Sequence, residues 1–123
     1  MIKTKPKSKS SEQAKIDRVL NKRKKWLIEY QPECIFCSQF AGRYGDLAHK
    51  IRRSYASSRY TRFELQTMKK NTGLSHRVCH DIFDNDIIKA ERLPNFLKIM
   101  DDIKSIDELY YNRIINKLES LKK

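Results

Sequence analysis

Two short donor pairs carry the first chemical signal. Cys34-Ile-Phe-Cys37 and His76-Arg-Val-Cys79 each place two metal-binding side chains three positions apart, a spacing that lets both reach one ion from a tight turn. Together they make a Cys3His set, a normal tetrahedral donor group for zinc. The 38 residues between the pairs then become a loop closed by the metal, and a chain this small gains much of its folding free energy from such a staple. Read alone, Cys34 and Cys37 also suit buried or redox-active thiols. However, no βαβ pattern surrounds them, as a thioredoxin-like pair requires, and Ser38 rather than a histidine follows Cys37, which excludes haem attachment.

A second group of polar residues is interleaved with these pairs. His49 stands in Asp-Leu-Ala-His-Lys-Ile-Arg-Arg-Ser, Asn71 in Lys-Lys-Asn-Thr-Gly-Leu, and His80 and Asp84 in Cys-His-Asp-Ile-Phe-Asp-Asn. A neutral imidazole takes a proton from water near pH 7. His80 and Asp84 are four residues apart, so a helix sets both on one face, a two-ligand geometry for a metal distinct from the zinc. Taken singly, each has a plainer reading: His49 as a hydrogen-bonded histidine, Asp84 and Asn85 as helix-surface or capping groups. Their order is what carries information.

That order resembles the HNH endonuclease family. The family pattern is a CxxC pair, a hairpin histidine followed by an Arg/Ser-rich stretch, a loop asparagine, and a second pair whose last cysteine is followed by histidine. The match covers residues 34–85, about two-fifths of the chain. The resemblance implies an α+β, mostly helical fold with a zinc-stapled ββα-metal (His-Me finger) core and flanking helices. It implies hydrolysis of phosphodiester bonds in DNA, with His49 as general base and His80, together with Asp84, binding a catalytic Mg2+ or another divalent metal. Asn71 holds the hairpin loop in register, and Cys34, Cys37, His76 and Cys79 hold structural zinc. Stand-alone enzymes of this kind are common in phages. The sequence departs from the pattern at three places. Ala48 occupies the position before the base, where the family often has an acidic or histidine metal ligand; Asp46 is the nearest substitute, although strand alternation puts it on the face of Ala48. His76 replaces a usual cysteine. The 21 residues between His49 and Asn71 form a long insertion.

The charge supports a polyanionic partner. Among 123 residues, 27 Lys and Arg oppose 15 Asp and Glu, for a formal charge of +12. The excess is segregated. Residues 1–25 carry ten bases and two acids, residues 50–70 carry seven bases and only Glu64, and residues 81–123 carry eight bases against nine acids. A stripe of this kind is what a DNA-facing surface needs. Arg52, Arg53, Arg59, Arg62, Lys69 and Lys70 flank the expected site and suit phosphate contacts; a solvated loop is the plain alternative. Tyr55 and Tyr60 among them either stack on bases or pack. No apolar run is long enough to span a membrane, and the basic start lacks the apolar core of a secretory signal. Reduced thiols in the cytoplasm are the expected setting.

The elements that must position these residues follow from periodicity. Residues 1–10, MIKTKPKSKS, read as a basic arm that is disordered when free. A helix is expected from about Ser11 to Tyr30, opened by a Ser10/Gln13 capping box and ended by Pro32. Its packing face would be Ile16, Val19, Leu20, Trp26, Leu27 and Tyr30, with a basic opposite face able to follow a phosphate backbone. Residues 33–90 form the core: a knuckle and short hairpin over 33–51, a loop with a helical turn over 52–70, and a helix from about His80 to Ala90. Residues 91–123 are helical. One helix runs from Pro94 to about Ile103, with Phe96, Leu97, Met100 and Ile103 as its apolar face. The next, after a Ser105/Glu108 capping box, ends near Leu121 and uses Ile106, Leu109, Tyr110, Ile114 and Leu118. The chain is then a monomer, or a homodimer through these C-terminal helices. Two rivals to the nuclease remain: a non-catalytic zinc module binding DNA or RNA, which Ala48 favours, and an interaction protein built on the C-terminal helices.

Overall fold

The computed structural model describes residues 11–123; the basic arm at 1–10, including the Ser10 cap, lies outside them. The fold is α+β and mostly helical. Six helices, α1 (Ser11–Tyr30), α2 (Arg62–Thr67), α3 (Arg77–Asn85), α4 (Ile87–Ala90), α5 (Phe96–Ile106) and α6 (Glu108–Leu121), surround strands β1 (Asp46–His49) and β2 (Thr72–Ser75).

Helix α1 stops where expected, at Tyr30, two residues before Pro32, whose ring cannot continue the i→i−4 ladder; the last such bond runs from the Gln31 N–H to the Leu27 carbonyl. Its buried stripe is narrower than the periodicity suggests. Ile16, Leu20 and Leu27 are buried, whereas Val19, Trp26 and Tyr30 are 38%, 42% and 61% exposed. Trp26 instead lies under the Arg23 guanidinium, 5.2 Å from the ring centroid, and beside Tyr30 at 5.3 Å. A helix laid across one short strand and one short helix covers only a single ridge of side chains.

The knuckle forms as a closed turn. The Ser38 N–H bonds the Cys34 carbonyl (2.8 Å) and the Cys34 N–H bonds the Gln39 carbonyl (2.7 Å). Ser38 adopts φ of 68°, and a single bridge pairs Glu33 with Phe40. The expected hairpin within 33–51 does not form. Strand β1 pairs antiparallel with β2, in the register Asp46–Ser75, Leu47–Leu74, Ala48–Gly73 and His49–Thr72. The whole segment 50–71 therefore becomes the connection between two adjacent strands. Strand β2 escapes notice in the sequence because Thr-Gly-Leu-Ser is short, contains glycine and is buried throughout, leaving no alternation to read.

Gly73 has a packing reason. A Cβ there would stand 2.3 Å from Cγ2 of Ile35, so the knuckle lies directly on the strand. The Ile35 N–H bonds the Leu74 carbonyl at 2.9 Å. This contact brings Cys34 and Cys37 to the strand that leads into His76.

The helix expected from His80 to Ala90 is two helices. The chain leaves the α-conformation at Asp86, whose carboxylate accepts from the Lys89 N–H and caps α4. Helix α3 starts earlier, at Arg77, and follows β2 almost without a break, so β1, β2 and α3 form a ββα unit. In the C-terminal region, Asp107 rather than Ser105 caps α6. It is buried and accepts from the Tyr110 N–H (3.2 Å), the Ser57 hydroxyl (2.7 Å) and the Tyr55 hydroxyl (3.3 Å). Ser105 lies inside α5 and donates to the Asp102 carbonyl. Leu97 and Leu109 face outward, and Ile99 and Ile106 take their places in the core. That core joins the knuckle, α3 and α5 through Phe36, Phe83 and Phe96, with successive ring centroids 4.9 and 6.5 Å apart.

Candidate metal centre and adjoining cleft

The ligand atoms of Cys34, Cys37, His76 and Cys79 all lie within 4.8 Å of one another. Zn–S bonds of about 2.3 Å in a tetrahedron put sulfurs about 3.8 Å apart, so small side-chain movements close the set on an ion. The donor chemistry fits. Nε2 of His76 stands 2.8 Å from the Phe40 carbonyl, which can only accept; the proton is therefore on Nε2, and Nδ1, 3.3 Å from the Cys37 sulfur, is free to ligate. Such a carbonyl behind a ligating histidine fixes its tautomer and ring plane. Burial pushes the Cys34 thiol up, but the His76, Phe36 and Cys37 backbone amides and the Cys37 side chain outweigh it and leave its pKa below the ordinary thiol value. Burial, then the neighbouring Cys34 and Cys37 sulfurs, push Cys79 up to about 12. Metal binding requires these thiols to be deprotonated, so a bound cation would offset the unfavourable terms at Cys79. These four residues can hold a metal ion.

His49 ends β1 and is buried. Its Nε2 is 2.7 Å from the Gln66 carbonyl, so this nitrogen is the donor and Nδ1 carries the lone pair. Burial is the largest influence on its pKa and lowers it. The Gln66 carbonyl opposes this, while the positive charge of Arg53 and of His80 lowers it further. His49 is thus held neutral and in one tautomer. Gln66 is itself fixed, its Oε1 accepting from Nε of Arg53 at 2.9 Å.

Asn71 works behind the histidine. Its fully buried side chain accepts from the Ile51 N–H (2.7 Å) and donates to the carbonyls of Leu65 (3.0 Å) and Ile51 (3.3 Å). Its carbonyl receives the Lys50 N–H at 2.8 Å. The two residues after His49 are thereby tied to the start of β2. Asn71 does not line the cleft described below.

On α3, Nε2 of His80 and Oδ2 of Asp84 are 3.1 Å apart, as the i,i+4 spacing requires. Asp46 reaches the other side of the same ring, with its Oδ2 3.9 Å from Nδ1. Hydrogen bonding to Asp84 raises the His80 pKa; burial opposes this, and the charges of Asp84, Asp46 and Asp81 add to it. Ala48 is buried in the core and offers nothing to a metal. Asp46, although on the same strand alternation as Ala48, bends at the strand's start to face His80. The two carboxylates thus face different ring nitrogens, Asp84 at Nε2 and Asp46, more distantly, at Nδ1. Among the described residues, the Cys3His set is the only group of three or more such side chains that converges.

His49, His80 and Asp84 line one cleft of about 730 Å³. Leu47 and His49 come from β1, Arg52, Arg53 and Ser54 from the following loop, Asn85 from α3, and Asp17, Leu20, Asn21 and Lys24 from α1. The expected cations divide. Arg52 and Arg53 line the cleft; the Arg52 guanidinium also donates to the Asp84 carbonyl. Arg59 instead donates to the Ile106 carbonyl at 3.2 Å, and Arg62 pairs with Gln13 and Glu12 of α1. Lys69 and Lys70 line a separate hollow with Arg23. Arg113 and Lys117 of α6 were not anticipated. They stand with Arg52 and Asp84 around a smaller hollow beside the cleft. The overall acidity of residues 81–123 masks them, although their i,i+4 spacing places them on one helix face.

No helix among the described residues is long and apolar enough to cross a membrane. No protein-family model, curated protein or solved structure matches the chain.

Proposed function

We propose that this protein is a metal-dependent endonuclease of the HNH type that hydrolyses phosphodiester bonds in DNA, with structural zinc at Cys34, Cys37, His76 and Cys79. The observation that carries the reading is that a neutral histidine with a committed Nε2 shares one basic cleft with a histidine–carboxylate pair. His49 Nδ1 takes a proton from water, whose oxygen attacks phosphorus as the bond to the leaving deoxyribose oxygen breaks. Arg52, Arg53 and Lys24 hold the phosphate backbone, and Asn71 keeps His49 aimed at it. His80 and Asp84 would hold the catalytic cation, with Asp46 orienting the imidazole. Such a cation neutralises charge on the phosphate and on the departing oxygen. The reading places the protein in the cytoplasm, where its thiols stay reduced.

The test is nicking of supercoiled plasmid by zinc-loaded protein with added Mg2+ or Mn2+. The reading predicts nicking that needs the added metal, and a His80→Ala variant that demands far more of it. A second reading, a zinc module that binds DNA or RNA without cutting, is favoured by Ala48 and the two-ligand metal pair; it predicts binding with no nicking at any metal concentration.

A further inference from the structure

Lys69 and Lys70 sit away from the cleft, in a hollow of about 610 Å³ that shares no lining residue with it. Arg23 and Lys50 also line this hollow, as does Lys98 from α5. Two carboxylates oppose these five cations, Glu33 and Asp102, and Asp102 is already held by the buried Lys50 ammonium at 2.7 Å. Arg23 is anchored to the wall, donating to Thr72 Oγ1 at 3.1 Å and to the Lys69 carbonyl at 3.3 Å. Lys69, Lys70 and Lys98 are exposed and have no ion-pair partner among the described residues. Three like charges held around one depression repel one another, an arrangement that an anion relieves.

We propose that this hollow is a second contact site for the phosphate backbone of the same nucleic acid that enters the cleft. Helix α1 links the two. Its Asp17, Leu20, Asn21 and Lys24 line the cleft, and its Arg23 and Leu27 line the hollow. At 1.5 Å per residue the centres of these two sets are displaced by about 7 Å along the helix axis, about two base pairs of duplex. One strand can therefore meet both positions. The site rests on nucleic acid as the partner but not on cleavage.

The test is fluorescence-anisotropy titration of a labelled 20-base-pair duplex without added divalent metal, over a series of salt concentrations. Wild-type protein is compared with a Lys69→Ala/Lys70→Ala/Lys98→Ala variant. A Lys89→Ala/Lys104→Ala/Lys123→Ala variant controls for net charge. The hollow variant is expected to bind about tenfold or more weakly, with a salt slope shallower by about 2–3, while the control stays near wild type. Equal losses in the two variants would show a diffuse charge effect and overturn the site. If wild-type protein binds no duplex, the site falls together with the DNA reading; if it binds and only the hollow variant matches it, the site alone falls. Vesicles containing phosphatidylserine form the second arm. Loss of vesicle binding with intact duplex binding in the hollow variant assigns the surface to a membrane instead.

Discussion

Nε2 of His49 stands 2.7 Å from the carbonyl oxygen of Gln66, and that one contact determines which ring nitrogen is free. A carbonyl accepts only, so the imidazole is a donor towards α2 and an acceptor at Nδ1. The protein has in effect chosen the tautomer of its proposed base before any substrate arrives.

The pH profile follows from this burial. The His49 pKa lies below its ordinary value of 6.5, chiefly because burial disfavours the charged form. A base must be neutral to act, so lowering its pKa extends the active range towards acid. The acidic limb of kcat/KM for plasmid nicking is expected below about pH 6.5. A limb centred above that value contradicts the assignment.

Removing the metal from the Cys3His set is expected to unfold the core. Elemental analysis should find one zinc per chain, and a strong chelator should lower the thermal midpoint by more than about 10 °C. Cys79→Ser should do the same without chelator. A midpoint unchanged by both would reduce Cys34, Cys37 and Cys79 to ordinary buried thiols.

Asn71 satisfies three buried backbone groups with one side chain. Asn71→Ala leaves them unpaired and should cost about 2–4 kcal/mol in denaturant unfolding. On the proposed role, in which this side chain orients His49 without lining the cleft, kcat should fall more than KM rises. A variant equally stable and equally active would remove Asn71 from the account.

Gly73 and Ile35 form a steric pair. Gly73→Ala puts a methyl 2.3 Å from Cγ2 of Ile35 and should cost about 1–3 kcal/mol. In an Ile35→Ala background, which removes that methyl, the same change should cost much less. Additive losses in the double-mutant cycle would mean that knuckle and strand do not touch there.

The sequence exposed the parts whose chemistry depends on short spacing. The x2 pairs and the i,i+4 pair of His80 and Asp84 are local, and the structure brings each together. The C-terminal end of helix α1 was legible because Pro32 stops it. The pairing of β1 with β2 was not, because two four-residue strands separated by 22 residues leave no hairpin signal. The cations divided for a related reason. Arg52 and Arg53 follow β1 directly and stay with the cleft, but Lys69 and Lys70 lie beyond α2, which carries the chain around to the other hollow. Asp107 was overlooked as a cap because Ser105 and Glu108 offered a better-looking box opening two residues earlier; burial against Ser57 and Tyr55, a long-range fact, decided between them.

The central claim is that His49 and the His80–Asp84 pair act on one phosphate. Its most direct test is the single-turnover nicking rate of zinc-loaded His49→Ala against wild type, with Mg2+ or Mn2+ and with duplex affinity measured alongside. The account predicts a rate lower by about a hundredfold or more, with affinity unchanged. Nicking by His49→Ala at the wild-type rate, or no nicking by either protein, would contradict it.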